Sequence, residues 1–449
     1  METLLTTDVS QAATLLRKGA VIAIPTETVY GLAANALEAE AVRKVFELKK
    51  RPSSDPLIVH VQGLEALEGI VAEIPDWAYK LMMRFWPGPL TLLLPKGPAV
   101  PEEVTAGLPR VAVRAPAHPL TQALLQAVPF PLAAPSANPF GGVSPTTPAH
   151  VWDYFAGQIP LILDGGPCAA GIESTIIGEE NGRLILYRPG AIPRETLEEA
   201  LGEKLYTRTH VTSTPPVAPG QFLRHYAPRK PLLYGWRTPP PEKNASIVVF
   251  QPVPFSHPYL HYLPTAENLA DAAAQLYHTL LACEKEPTHY ILVQAVSPYG
   301  LGEALHDRLR RASLPHVFTI GHSNHPWADF QALLQKYEIH AILDLRKQPY
   351  SRYVPHFSQG PLQKALHEVN IAYEWQPNPN RLLPTIEKLL REHLHVALLC
   401  AEGDPNRCHR FSLSDTLSEK GFAIFHILPT GELHLHRAPI SLSLEEKAS

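Results

Sequence analysis

Val21-Ile22-Ala23-Ile24-Pro25-Thr26-Glu27-Thr28-Val29-Tyr30-Gly31 reads as four apolar residues of a buried strand entering a polar loop that opens with Pro-Thr. The same kind of short apolar run returns at Leu57 to Val61, Leu90 to Leu94, Val111 to Val113 and Leu161-Ile162-Leu163. Between these runs, Ala39 to Lys49 places Val42, Val45, Phe46 and Leu48 at helical spacing, and residues 118–128 are similar. Short strands alternating with helical stripes predict an α/β fold.

A chain of 449 residues is too long for one ordinary core, so two or three domains are expected. A break at Thr207 to Pro219, rich in Thr, Ser and Pro, reads as a linker. Beyond it, Ser246 to Phe250, Leu269 to Leu281 and Tyr290 to Val293 outline a small strand–helix–strand unit. A third unit starts around Ser313 to His316, with strands at Val317 to Ile320, Ala341 to Leu345 and Val396 to Leu399. The expected domains are 1–206, a linker at 207–228, 229–313 and 314–440.

The chain is 45% hydrophobic and 18% charged, which suits globular domains. Residues 1–228 carry 18 Lys plus Arg against 22 Asp plus Glu, so sequence-blind nucleic-acid binding is not the default. Four scattered cysteines point to a reducing interior. With no basic, apolar leader and no long apolar run, a cytoplasmic protein without a membrane partner is expected. The 47 prolines are roughly twice average usage. Many fall inside polar motifs (Pro25, Pro52, Pro87, Pro135, Pro189), which suits loops of fixed shape.

Neither G-x-x-x-x-G-K-[ST] nor G-x-G-x-x-G occurs. Instead, six polar clusters stand out, each read as following an apolar strand, where open α/β sheets bind ligands. They are 25–31, 49–52, 85–91, 134–138, 171–175 and 188–190. Each has a plain reading alone. Lys49, Lys50 and Arg51 would complement a helix dipole; Ser136 and Asn138 would be turn residues; His60, between two valines, would be a strand histidine. Together, their cationic forks and hydroxyls are the groups that triphosphate and carboxylate binding needs.

These motifs resemble the YrdC family, the threonylcarbamoyl-AMP synthases, over residues 1 to about 202. The match runs through P-T-E-T-V-Y-G (25–31), K-x-R-P (49–52), F-W-P-G-P-L-T (85–91) and V-A-V-R (111–114). It continues with A-P-S-A-N (134–138), S-P-T (144–146), E-S-T (173–175) and R-P-G (188–190). P-G-x-x-x-x-H-Y-A-P at 219–228 resembles the linker of the family's long form, and 229–313 the small Rossmann-like domain after it. The resemblance implies a twisted mixed sheet with helices, then that small α/β domain, then a third α/β domain.

It also implies a nucleotidyltransferase reaction. L-threonine, bicarbonate or CO2, and ATP give threonylcarbamoyl-AMP and pyrophosphate, with Mg2+ accompanying the ATP. Other enzymes of the t6A-transferase machinery then use the product to modify adenosine 37 of tRNA, so a tRNA partner would be indirect. Such a displacement needs positioned reactants and neutralised charge more than a nucleophilic side chain. By motif, Lys49 and Arg51 would neutralise phosphates, with Ser136, Asn138, Ser144 and Arg188 on ATP. Thr28, His60, Arg114 and Ser174 would surround threonine, and Tyr226 would close over the nucleotide. Asp55 stands where many members carry an uncharged or amide residue; near phosphates it would call for Mg2+. A double-stranded RNA module without synthase activity is the alternative, weakened by the acidic balance and by motifs that offer no aromatic platform.

The third segment has polar clusters of its own: Thr319-Ile320-Gly321-His322-Ser323, Asp344-Leu345-Arg346, and Cys400 through Arg410. Cys400 should end a strand, and Cys408-His409-Arg410 should open a helix facing the same crevice. A phosphatase-type loop needs five residues between Cys and Arg, whereas six separate Cys400 from Arg407. A zinc site of Cys400, Cys408 and His409 lacks the usual spacing. Buried cysteines beside an Asp344–Arg346 pair, or a ligand site of unnamed chemistry, are the other readings. The segment resembles a domain family of unknown function with T-I-G-H-S, D-x-R and C-H-R motifs. It departs at Tyr373 to Asn380, where the family has a glycine-rich turn.

Overall fold

A computed structural model describes residues 2–207, 218–219, 225–263, 269–313 and 315–436. Much of the expected linker, including 208–217 and 220–224, lies outside the described residues, as do residues 437–440. The chain divides into two units: 1–229 with 262–285 and 296–312, and 230–261 with 286–295 and the residues from 313 onward. The segment 229–313 is thus shared, its helices Ala270–Lys285 and Leu301–Ala312 counting with the first unit and most of its strands with the second.

Among the described residues the first unit is built on eleven strands: β1 (Leu4–Thr6), β2 (Ile22–Ile24), β3 (Gly31–Asn35), β4 (Ile58–His60), β5 (Leu90–Pro95) and β6 (Arg110–Arg114), then β7 (Leu132–Ala133), β8 (Leu161–Leu163), β9 (Thr175–Glu180), β10 (Arg183–Arg188) and β11 (Tyr206–Thr207). Their order is β1-β8-β2-β3-β7-β4-β6-β5-β9-β10-β11, with parallel and antiparallel pairs mixed. Val59, Leu92, Leu94 and Val113 pack with Leu81 and Met82 of the helix Asp76–Phe85 on one face. Ile58, Leu93, Ala112 and Ile176 point to the other.

Three local features set up the site. The quoted stretch is a hairpin, β2 pairing antiparallel with β3 from Ile24↔Gly31. Its loop is braced where the Thr26 hydroxyl donates to the Val29 carbonyl at 2.6 Å. Second, β4 and β6 run parallel with His60 opposite Arg114, so two distant motifs become neighbours. Third, Asn181 and Gly182, both at positive φ, turn β9 back into β10, the combination that favours tight hairpins. That hairpin brings Ser174 and Arg188 together.

The polar clusters need one correction. Those at 25–31, 134–138 and 188–190 do lie at strand ends. Lys49 to Pro52 instead leaves the helix Ala39–Lys49, while 85–91 and 171–175 lead into β5 and β9. Mixed strand directions let loops from both ends of elements converge, which a rule made for parallel sheets does not foresee.

The second unit contains β12 (Leu232–Trp236), β13 (Ala245–Val249), β14 (Leu260–Tyr262) and β15 (Tyr290–Gln294), ordered β12-β15-β13-β14. Its larger sheet has β16 (His316–Gly321), β17 (Ala341–Asp344), β18 (Ala372–Trp375), β19 (Val396–Cys400), β20 (Ala423–Ile427) and β21 (Leu433–Leu435). The order is β18-β17-β19-β16-β20-β21, all parallel but the last. Leu233, Ile247 and Leu292 share one core with Phe318, Ile342 and Phe425. The chain leaves β16 toward one edge and β19 toward the other, so a switch point lies between them. No helix among the described residues is long and apolar enough to cross a membrane.

Candidate functional site

A cleft of about 550 Å³, including its open mouth, is lined by Thr28, Arg51, His60, Arg114, Ser136, Ser174, Arg188 and Tyr226 among others. Eight of the residues singled out by motif therefore meet in one place. Lys49, Asp55, Asn138 and Ser144 do not line it; they stand buried behind it.

Lys49 continues the buried stripe of its helix (Ala41, Val42, Val45, Phe46) and is 1% exposed. Its Nζ donates to the carbonyls of Ser136 and Asn138, both at 2.5 Å, and so holds the Ala134–Asn138 loop. Burial, then the Arg51 charge, pulls its ammonium well below the usual range. Lys50 caps the helix in the left-handed region at φ 51° and turns Arg51 inward. Asp55 is fully buried and ion-paired to Arg51 at 2.8 Å. It compensates that guanidinium from behind the cleft.

Arg114 pairs with Glu27 at 2.7 Å and donates to the Thr28 hydroxyl at 2.9 Å and the Gly88 carbonyl at 3.2 Å. Beside it, His60 is pulled down to about 3 by burial and then by the Arg114 charge, so its ring is neutral at pH 7. The His60 Nδ1 is buried without a hydrogen-bond partner. Arg188 donates through Nε and Nη2 to the Ser174 carbonyl (3.0 and 2.9 Å), and Nη2 also reaches the Ser174 hydroxyl at 3.0 Å. Among the described residues no carboxylate comes within ion-pairing distance of it. Gly190 is required nearby, since a Cβ there would meet the Ser174–Thr175 backbone at 2.4 Å.

Glu173, which the motif reading passed over, organises the rest. It accepts from Ser144 Oγ (2.7 Å), Tyr277 OH (3.0 Å) and Arg308 Nε (2.8 Å). Burial opposes its charge, but Arg308, Arg188 and the Ser144 hydroxyl outweigh burial and hold the carboxyl below its usual range. Tyr226, at φ 62°, stacks on His225 at 4.2 Å and lies beneath the guanidinium groups of Arg308 and Arg311, 4.9 and 5.0 Å from its ring. A tyrosine in that backbone region is strained and is held by its surroundings.

In the second unit, Asp344 and Arg346 form a bidentate pair at 2.9 and 2.6 Å. Arg346 also donates to the Phe357 carbonyl (2.8 Å) and to His322 Nε2 (3.2 Å), whose Nδ1 then faces the Ser323 carbonyl at 2.8 Å. Burial, despite that carbonyl, pulls His322 down to about 4. The segment that departs from its family supplies ring donors here, Tyr373 OH to Asp344 (2.7 Å) and Trp375 Nε1 to the Arg346 carbonyl (2.8 Å). Cys400, Cys408, His409 and Arg410 gather at the ends of β19 and β16, as a strand end beside a helix start.

Residues 14–190 match a family model described as Sua5/YciO/YrdC, telomere recombination. Residues 192–313 match the threonylcarbamoyl-AMP synthase C-terminal domain, and 326–379 a domain of unknown function, DUF488. The chain is 39% identical to the threonylcarbamoyl-AMP synthase of Pyrococcus abyssi over 317 residues, covering 67% of this chain and 93% of the relative. It is 38% identical to that of Bacillus subtilis, covering 68% and 92%. The crystal structure of P. abyssi Sua5 complexed with L-threonine aligns with a TM-score of 0.64 at 37% identity, over 70% of this chain and 98% of that one.

Proposed function

The chain belongs to the threonylcarbamoyl-AMP synthase family, and from that premise we infer that the cleft of its first unit makes threonylcarbamoyl-AMP. In finer terms it is a nucleotidyltransferase that consumes L-threonine, bicarbonate or CO2, and ATP, and releases pyrophosphate. The threonine nitrogen adds to CO2 and loses a proton, and a carbamate oxygen then attacks the α-phosphorus. The bond from that phosphorus to the bridging oxygen breaks as pyrophosphate leaves. The product serves the t6A machinery, with tRNA as its eventual and indirect partner.

The observation that carries this reading is Arg188, a buried guanidinium at the cleft that no carboxylate pairs with directly among the described residues, Glu173 acting on it only through its charge. A triphosphate supplies that counter-charge. Arg51, already half-compensated by Asp55, and the Ser136 hydroxyl add to the phosphate end. Arg114 is the fork for the threonine carboxylate, held in its plane by Glu27 and Gly88. Neutral His60 flanks the amino-acid end beside Arg114, where burial and that charge keep it from taking up a proton, so the proton of the threonine amine leaves to solvent. Thr28 and Ser174 complete the amino-acid end, and Tyr226 flanks the nucleotide. Lys49, Asn138 and Ser144 position these groups from behind.

The donor set does not suit a protein-held metal. Glu27, Asp55 and Glu173 are each already paired with an arginine. Mg2+ would instead come with the triphosphate, where it would supply charge neutralisation. A double-stranded RNA module is not favoured, because residues 1–228 carry 18 Lys plus Arg against 22 Asp plus Glu, a poor balance for gripping a phosphate backbone. The decisive test is ATP–pyrophosphate exchange with the full chain. Exchange that requires L-threonine and bicarbonate is expected; its absence with folded protein defeats the reading.

A further inference from the structure

The second unit holds a cluster for which the synthase chemistry has no use. Cys400 ends β19 fully buried, while Cys408 is partly exposed just before the helix Arg410–Glu419. The two sulfurs and a His409 ring nitrogen lie within 4.8 Å of one another. The ring faces both sulfurs, Nε2 3.8 Å from Cys400 Sγ and Nδ1 3.8 Å from Cys408 Sγ. Arg410 is completely buried; its Nη2 donates to the Gly403 carbonyl at 2.6 Å, but Nε and Nη1 have no acceptor. No carboxylate among the described residues forms an ion pair with it.

A guanidinium cannot shed its charge, and buried charge needs an opposite one. The groups within its electrostatic reach are the two thiols first, then the Glu402 and Asp404 carboxylates, which do not pair with it directly. One negative charge on the sulfur pair supplies the balance: a Cys408 thiolate accepting from the Cys400 S–H. Accordingly Cys408 is pulled down to about 6, by that S–H first and by His409 and Arg410 in support, while Cys400 is pushed up. The helix start favours the same charge. Gly321 makes the arrangement possible, because a Cβ there would meet the Glu402 carbonyl at 1.8 Å and Arg410 Nη1 at 2.6 Å. A shared metal fits less well. It would need one ring nitrogen at about 2.0–2.1 Å with both sulfurs around the same centre, whereas here each nitrogen faces its own sulfur. It would also add positive charge beside the Arg410 guanidinium, which no carboxylate pairs with directly among the described residues.

We propose that Cys408 and Cys400 are a nucleophile and resolver that exchange with small-molecule disulfides. The Cys408 thiolate attacks one sulfur of R–S–S–R, forming a mixed disulfide and releasing R–S⁻. Cys400 then gives its proton to His409 and attacks Cys408 Sγ. The Cys400–Cys408 disulfide forms, the second R–S⁻ leaves, and His409 returns the proton to it. The protein dithiol is oxidised and the small disulfide is reduced to two thiols.

The test treats the reduced full chain with oxidised glutathione and maps it by mass spectrometry. A Cys400–Cys408 linkage, with the chain lighter by two hydrogens and buried Cys168 and Cys283 unmodified, is expected. Cys400→Ser should stop at a glutathione adduct on Cys408, and Cys408→Ser should not react at either position. Arg410→Met should slow adduct formation at pH 7 by about tenfold, as expected when a thiolate loses its cation. No linkage in the unmutated chain overturns the proposal without recourse to any variant. So does about one tightly held zinc per chain that is lost in Cys408→Ser and protects both sulfurs.

Discussion

Lys49 spends its side chain on two carbonyls of the Ala134–Asn138 loop, so its influence on ligands passes through Ser136. Lys49→Met keeps the helix stripe packed but releases that loop. A drop of about a hundredfold in kcat for exchange, with the threonine KM changed much less, is expected from misplacing groups by an ångström or so. Steady-state exchange kinetics decide it; an unchanged kcat would return Lys49 to a merely structural role. Arg114→Lys should act differently, raising the threonine KM about tenfold by losing a planar fork. The K-x-R-P motif told of cations near the site, but not which one points where. That depends on the left-handed turn at Lys50, which no residue type there announces. Glu27 and Glu173 sit inside recognised motifs, yet their roles lay hidden because Arg114 and Arg308 reach them from other elements. Such pairings are tertiary and leave no local trace.

The helix Leu301–Ala312 illustrates this at the next scale. Its amphipathic pattern would suit any packed helix, yet it delivers Arg308 onto Glu173 with both side chains buried. Arg308→Met leaves a buried carboxylate unpaired, and a loss of about 3–5 kcal/mol in chemical denaturation is expected. Adding Glu173→Gln should recover part of it, because the pair is coupled. A double variant no better than the single would mean the two do not interact. The strands and helices named from apolar runs are present, most with ends displaced by a residue or two, but about half of the strands and most of the helices among the described residues were not named. The β9–β10 hairpin was not drawn from the sequence, although Asn181-Gly182 carried its signal. The runs flanking that turn mix Glu, Gly and Arg with apolar residues, which blurs the alternation.

Across the whole molecule, buried histidines set the response to acid. His60, His395 and His426 are pulled down to about 3 and His322 to about 4, in each case chiefly by burial. Unfolded histidine takes a proton near pH 6.5. Between that pH and the folded values the unfolded chain binds more protons, so stability falls as pH drops. Each such histidine contributes a slope of about 1.4 kcal/mol per pH unit in that window and nothing above it. The urea midpoint should therefore be lower at pH 5 than at pH 7, with no comparable change on going to pH 8 from these groups. The α/β class was readable from short apolar runs alternating with helical stripes. How the chain shares out residues 229–313 was not, because that depends on which faces find each other. The sharing has a consequence for manufacture. Glu173 is synthesised 135 residues before Arg308, an interval of roughly 7 to 27 seconds on a ribosome. Once Tyr226 has been added, the growing chain carries every cleft motif and still lacks the cation that braces Glu173, so the synthase half is born unfinished and is completed only after part of its neighbour has been made.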